Sequence, residues 1–394
     1  MSFEILETET NGTIIKVVGV GGAGGNAVEH MIRRGVQGVE FICANTDHQA
    51  LARSSSKNVL QLGKTGLGAG SRPEAGRQAA EEARDRIADS LRGAHMVFIT
   101  AGMGGGTGTG AAPVVAEVAK ELGLLTVAVV SKPFEFEGPK RLKVAETGLA
   151  ELEASVHSLI VILNNKLEEV MGEDAEMADC FRAADDVLHN ACAGIAEIIN
   201  VPGLVNVDFE DVKTVMSERG KAMMGTATAS GLDRARIAAE QAVASPLLEG
   251  VDLSGARGVL VNITASSSLK MKETREVMNT IRAFAADDAT VIFGTVCDES
   301  IGDGLRVTVV ATGLGRAGSK KQSNPFTVVR TGTDNAPLMV APTRETATAG
   351  SDYSHLDTPA VWRSRESAQQ KVSAMEESGS DRYDIPAFLR KQAD

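Results

Sequence analysis

The chain has 394 residues, 40 Lys+Arg against 52 Asp+Glu, and 43% hydrophobic residues, giving a formal net charge of −12. The length allows two or three domains, the apolar fraction excludes global disorder, and the acidic balance argues against a nucleic-acid partner, which would need a basic face. No stretch approaches the roughly 18 apolar residues of a membrane span, and residues 1–12 lack the basic start of a secretory signal, so a cytoplasmic chain without direct membrane insertion is expected.

From residue 13 to about 165, apolar β-branched runs occur at Thr13–Val20, Val39–Ala44, Met96–Thr100, Leu125–Ser131 and Ser158–Leu163. Helical patterns lie between most of them. Ala75, Ala79, Ala83, Ile87 and Leu91 recur every four residues and predict one helix over Glu74–Leu91. Strands alternating with helices predict an α/β fold, a doubly wound parallel sheet covered on both faces.

The first strand runs into Val18-Gly-Val-Gly-Gly-Ala-Gly-Gly-Asn26, with helical spacing from Ala27. Without Cβ atoms, backbone N–H groups can approach phosphate oxygens, and a helix N-terminus adds partial positive charge. Gly19, Gly21 and Gly24 satisfy G-x-G-x-x-G, and Asp47 stands about 20 residues further on, the fingerprint of an NAD-dependent Rossmann oxidoreductase. A second run, Gly102-Met-Gly-Gly-Gly-Thr-Gly-Thr-Gly110, follows the strand Met96–Thr100, with a helix expected from Ala111-Ala-Pro113. An oxidoreductase needs one such loop. Two on one sheet suggest a polyphosphate held from both sides, with Thr107 and Thr109 adding hydroxyl donors. The usual NTPase motifs are missing. Gly63-Lys64-Thr65 has Asn58 where a Walker A loop needs glycine, and Asn165-Lys166-Leu167-Glu168 has Glu where N-K-x-D needs Asp.

Met177, Phe181, Ala184, Leu188, Ala191, Ile195 and Ile198 step by three or four through a long helix, Glu176–Asn200, that Pro202-Gly203 ends. Arg182, Asp185, Asp186 and His189 lie on its polar face. An α+β region follows, with helices near Asp211–Met216, Ala235–Ala244 and Lys270–Ala286 and strands at Gly258–Ala265, Ala289–Val296 and Leu305–Ala311. At its start, Asn206, Asp208 and Asp211 suit helix capping, and equally a pair of carboxylates projecting from one helix face. Beyond residue 316 the composition turns to Ser, Thr, Pro and Gly with balanced charge, which predicts a disordered linker. Ile385, Phe388 and Leu389 then recur at helical spacing before Arg390 and Lys391, a pattern suited to a partner's groove. The cysteines (Cys43, Cys180, Cys192, Cys297) include no C-x-x-C pair, and the six histidines show no ligand spacing, so no protein metal site or disulfide framework is expected.

Gly104-Gly-Gly-Thr-Gly-Thr-Gly110 resembles the tubulin signature loop. With Gly19–Asn26 and Asn206-Val-Asp-Phe-Glu-Asp211, it makes residues 1–316 similar to the tubulin/FtsZ family of GTPases, and Asp384–Arg390 resembles that family's partner-binding peptide. The resemblance implies a GTP-binding domain (1–175), a central connecting helix (176–205), a GTPase-activating and polymerisation domain (206–316), the linker (317–380) and the tail peptide (381–394). It implies GTP/GDP and Mg²⁺ as cofactors. Gly21, Gly22, Ala23, Gly24, Gly25 and Asn26, together with Gly104, Gly105, Gly106, Thr107 and Gly108, would hold the phosphates. Glu137 and Arg141 would contact ribose and phosphates, while Asn26, Asn164, Phe181 and Asp185 would read the base. Ala23 stands where the family often has Gly. Asn206, Asp208 and Asp211 would be catalytic, acting on the nucleotide of the neighbouring subunit. Such a contact implies a head-to-tail homopolymer, a ring at the mid-cell division site on the inner face of the membrane, and binding through 381–394 to assembly regulators and membrane-tethering division proteins of the FtsA/ZipA type.

Overall fold

The central strand, β1 (Ile15–Val20), is buried at all six positions. In a computed structural model of the chain, which describes residues 12–314 apart from 173, 202, 219, 246–255 and 287–288, β1 lies between β2 (Val39–Asn45) and β4 (Met96–Gly102), parallel to both. Next to β2 comes β3 (Asn58–Gln61); next to β4 come β5 (Leu125–Lys132) and β6 (Ser158–Leu163), all parallel. The order 3-2-1-4-5-6 therefore reverses between β1 and β4. Alternation along the strands sends side chains to two cores. Ile15 and Val17 join one, with Ala27, Val28 and Met31 of α1 (Gly21–Arg33). Val18 and Val20 join the other, under α4 (Arg84–Leu91), α5 (Thr107–Glu121) and α6 (Pro139–Ser155). This is the expected doubly wound α/β arrangement.

The strands of the expected second domain continue the same sheet. Here β7 (Lys221–Ser230) runs parallel to β6 through Leu159↔Lys221 and Ile160↔Ala222. Then β10 (Gly304–Leu314) pairs antiparallel with both β7 and β8 (Gly258–Ala265), and β9 (Thr290–Cys297) lies parallel to β8. A third core packs one face of this part against α10 (Arg234–Val243) and α11 (Met271–Arg282). The other face meets α8 (Met177–Asn200) and α9 (Phe209–Met216), whose apolar residues share a core with Met224, Leu260 and Val310. Helix α8 thus underlies both halves of the sheet.

Several boundaries differ from expectation. The Glu74–Leu91 helix is two, α3 (Pro73–Glu81) and α4, because Ala83 leaves helical geometry (φ −103°, ψ 8°). Helix α1 starts at Gly21 rather than near Ala27, and α5 at Thr107 rather than Ala111, so Pro113 sits inside it. Also unexpected are β3, β7, the short α2 (His48–Ala52) and α7 (Asn164–Met171). The linker 317–380 and the tail 381–394 lie outside the described residues. No helix among the described residues is long and apolar enough to cross a membrane.

Candidate functional site

In an open parallel sheet, ligands gather at the strand C-termini where the order reverses. Here that is the gap between β1 and β4. Both glycine runs leave the sheet there, and each becomes the first turn of a helix without a side-chain cap, α1 after Val20 and α5 after Gly106. The orphan N–H groups of both turns are therefore open to an anion. The two turns touch: a Cβ on Gly21 would come within 2.9 Å of Gly108 N, and one on Gly102 within 2.6 Å of the Ala23 Cβ. The methyl of Ala23 thus fits because Gly102 has none.

A cavity of about 440 Å³ opens above these turns. Gly22, Ala23, Asn26, Gly105, Gly106, Thr107, Gly108, Glu137, Arg141, Asn164, Phe181 and Asp185 all line it. Gly22 and Gly105 are informative because neither has left-handed φ and a Cβ on either would meet nothing within 4 Å. Neither conformation nor crowding requires glycine at those positions, and both leave bare backbone facing the cavity. Other members of the runs do other work. Gly24 packs α1 on β4, where a Cβ would sit 2.3 Å from Thr100 O. Gly104 turns the chain with φ +94° against Arg141 and Pro133. Gly21 and Gly25 line a neighbouring cavity of about 350 Å³. Thr109 is 2% exposed and its Oγ1 accepts from Gly104 N at 2.9 Å, so it braces the loop instead of offering a hydroxyl to the cavity. Thr107 does face the cavity, with its Oγ1 2.6 Å from Thr46 Oγ1.

The far wall is suited to a planar base. Phe181 stands 44% exposed, edge-on to Phe134 at 5.2 Å. Asn164 is 5% exposed, and its Oδ1 has no hydrogen-bond partner, an acceptor left over for a ligand. Burial pushes the Asp185 carboxyl up to about 6, against the pull of His30. Its neighbour Asp186 lines no part of the cavity and instead accepts from His30 Nε2 of α1 (2.8 Å) and from Nη2 of Arg34, the residue that follows α1 (2.7 Å). On the rim, Arg141 pairs with Glu137 at 3.0 Å, and Glu137 accepts from Phe134 N. Ser131 and Lys132, at the C-terminal end of β5, also line the cavity; the rule that sites form at strand C-termini was the signal for them.

Asn206, Asp208 and Asp211 lie elsewhere. Asn206 Oδ1 accepts from Gly203 N, and Asp208 caps α9 by accepting from Asp211 N at 2.8 Å. The next residue, Phe209, meets the His95 ring 6.2 Å away, and His95 immediately precedes β4. The acids therefore sit at the N-terminal end of the seven-residue β4 and the glycine turns at its C-terminal end, about 20 Å apart at ~3.3 Å per residue. The capping role and the exposed carboxylates coexist. Asp47, the acid that a dinucleotide fingerprint requires, caps α2 through Gln49 N and lines neither cavity. Together with the second glycine turn, this removes the case for an oxidoreductase.

Comparison with known proteins agrees. The GTPase domain of the Tubulin/FtsZ family matches residues 14–172, and the FtsZ family C-terminal domain matches residues 220–315. Cell division protein FtsZ of Coxiella burnetii is 55% identical over 99% of both chains, and that of Pseudomonas aeruginosa is 53% identical over the full length of both. An empty FtsZ dimer from M. jannaschii superposes with a TM-score of 0.74 at 42% identity, covering 78% of this chain and 89% of that one. Two glycine turns facing one cavity, the acids at the opposite pole and full-length similarity lead to one assignment: the chain belongs to the FtsZ branch of the tubulin/FtsZ family of GTPases.

Proposed function

We propose that this cell-division GTPase holds GTP in the 440 Å³ cavity and hydrolyses it only when a second copy docks its Asn206–Asp211 segment over the γ-phosphate. One observation carries the reading: the only groups proposed to direct water lie at the end of β4 remote from the chain's own glycine turns. The turns supply N–H donors, which bind phosphate but orient no water. A carboxylate from the next subunit fills that role and sets up in-line attack. The FtsZ of M. jannaschii is described as a dimer, and exposed apolar residues stand ready near both poles, Leu67 and Phe136 at one and Leu204 and Val205 at the other. A head-to-tail contact of this kind does not close, so it propagates as a filament.

In the cavity, the first turns of α1 and α5 take the phosphates, Arg141 and Glu137 the ribose and phosphates, and Phe181 stacks on the base. The Asp185 carboxylate accepts from guanine N1–H and N2–H, which adenine cannot offer. Mg²⁺ would supply positive charge to offset that developing on the γ-phosphate, and the Thr107 hydroxyl, which lines the cavity, would be this chain's contribution to holding it. The filament forms the mid-cell ring on the cytoplasmic face of the membrane. Residues 381–394 join it to membrane-tethering division proteins and assembly regulators, many tails acting multivalently. In the test, Asp208→Asn and Asp211→Asn bind GTP like the parent and lose at least about tenfold in turnover; either variant hydrolysing at the parental rate overturns the assignment. Deleting 381–394 leaves turnover and sedimentable polymer intact and abolishes tether binding; retained binding would remove the tail's role.

A further inference from the structure

Helices α1 and α8 run side by side away from the cavity. Asn26 and His30 of α1, then Arg34 just past its end and Gly38 in the turn beyond, descend one side, and Asp185, Asp186 and finally Asn200 of α8 descend the other. Helix α8 is tied to this segment at two levels: Asn200 Nδ2 donates to O of Gly38, in the turn after α1, at 2.7 Å, and Asp186 accepts from His30 of α1 and from Arg34 at its C-terminal end just below the cavity. The upper joint is not needed to hold the helices together, because Ala27, Val28 and Met31 already share a core with Ala184, Val187 and Leu188. An apolar seam fixes that two helices touch but is tolerant of small rotations. A short, charge-assisted hydrogen-bond pair is directional. Residues adjacent in a helix point about 100° apart, so an Asp186 gripped by α1 turns Asp185 into the cavity.

We infer that Asp186, with His30 and Arg34, is a positioning device for guanine recognition: it fixes the rotation of α8 about its axis, and so the aim of Asp185 and the distance between the base and the Asn26 side of the cavity. His189 completes the arrangement, its ring edge-on to His30 at 6.1 Å. Asp186 touches no nucleotide in this scheme. The inference rests on the reading that guanine lies against Asp185.

The test measures GDP and IDP affinity of the full chain by competition with a fluorescent nucleotide. IDP lacks the 2-amino group, so the GDP/IDP ratio reports the aim of Asp185, which a merely stabilising contact would leave unmoved. Asp186→Ala is expected to weaken GDP about tenfold and IDP much less, so the ratio collapses. Asp186→Asn, which still accepts both hydrogen bonds, restores most of the ratio. His30→Ala gives a smaller loss in the same direction, and its effect is not additive with Asp186→Ala. A parental ratio in Asp186→Ala, or additive losses in the double variant, overturns the inference. Asp185→Ala separates the two readings. If it keeps the parental ratio, the guanine assignment itself fails. If it loses the ratio while Asp186→Ala keeps it, only the positioning role fails.

Discussion

At the scale of single residues, the cavity depends on two opposite uses of missing or buried groups. Asp185 is a carboxylate whose pKa burial has raised to about 6. Guanine presents two N–H donors side by side, and a protonated acid would set its own O–H against one of them. GDP affinity should therefore fall about tenfold between pH 7.5 and 5, with Asp185→Asn flattening the profile. The empty protein responds with the opposite sign. A carboxyl with a raised folded pKa contributes stability that is full below its unfolded value near 3.8 and lost as pH rises through about 6. Acidification between those limits should thus favour the empty fold at Asp185 while it weakens the complex, and a GDP affinity unchanged down to pH 5 would refute the assignment. Gly22 and Gly105 form the other half. Because a Cβ there meets nothing and neither φ is left-handed, Gly22→Ala and Gly105→Ala should unfold at the parental temperature and yet bind GDP at least about tenfold more weakly, the methyl standing in the phosphate's place. Parental affinity in both would show that the bare backbone is not the phosphate floor.

Between elements, glycine does a different job, letting backbones approach more closely than side chains would allow. A Cβ on Gly24 would strike Thr100 O of β4 at 2.3 Å, one on Gly76 of α3 would strike Gly106 O at 2.4 Å, and one on Gly110 of α5 would fall 1.9 Å from Pro73 O. The α3 backbone therefore sits directly on the first turn of α5, and the loop that precedes α3, with Gly66, Gly68, Gly70 and Ser71 all at positive φ, braces that turn from behind. Gly110→Ala should cost about 1–3 kcal/mol, the price of overpacking, seen as a lowered urea midpoint; an unchanged midpoint would mean the contact has slack. The sequence made the two glycine runs legible but not the division between them, since a glycine that clears a ligand and one that clears a carbonyl look alike. The parallel strands were legible through their β-branched residues. By contrast β7, Lys-Ala-Met-Met-Gly-Thr-Ala-Thr-Ala-Ser, has Thr as its only β-branched type and carries little strand signal; what holds it is pairing to β6 and β10. The four-residue repeat through Ala83 concealed a break: α3 buries Gly76 and Ala80, one residue on from the repeat, while α4 buries Ile87 and Leu91, which follow it. Asn164, read through the family likeness, opens a helix that no cap announces.

For the whole molecule, β4 sets the plan: seven residues of rigid central strand separate the end with the glycine turns and the cavity from the end that carries Asp208 and Asp211. Chemistry that needs both ends needs two molecules, and this predicts complementation between two inactive variants. A chain with Asp208→Asn and Asp211→Asn keeps an intact cavity. A chain with Gly105→Val keeps intact acids. Neither should turn over GTP alone. Mixed in equal amounts, half of the subunits have a working cavity and half of their neighbours carry the acids, so random head-to-tail assembly should recover about a quarter of the parental rate. Recovery should rise steeply with protein concentration, since it depends on contact. Sedimentation of the mixture with both chains in the pellet establishes that they share filaments. If they do, and phosphate release stays at the sum of the two separate rates, the active centre is not shared between subunits, and the acids at the far pole must serve assembly rather than hydrolysis.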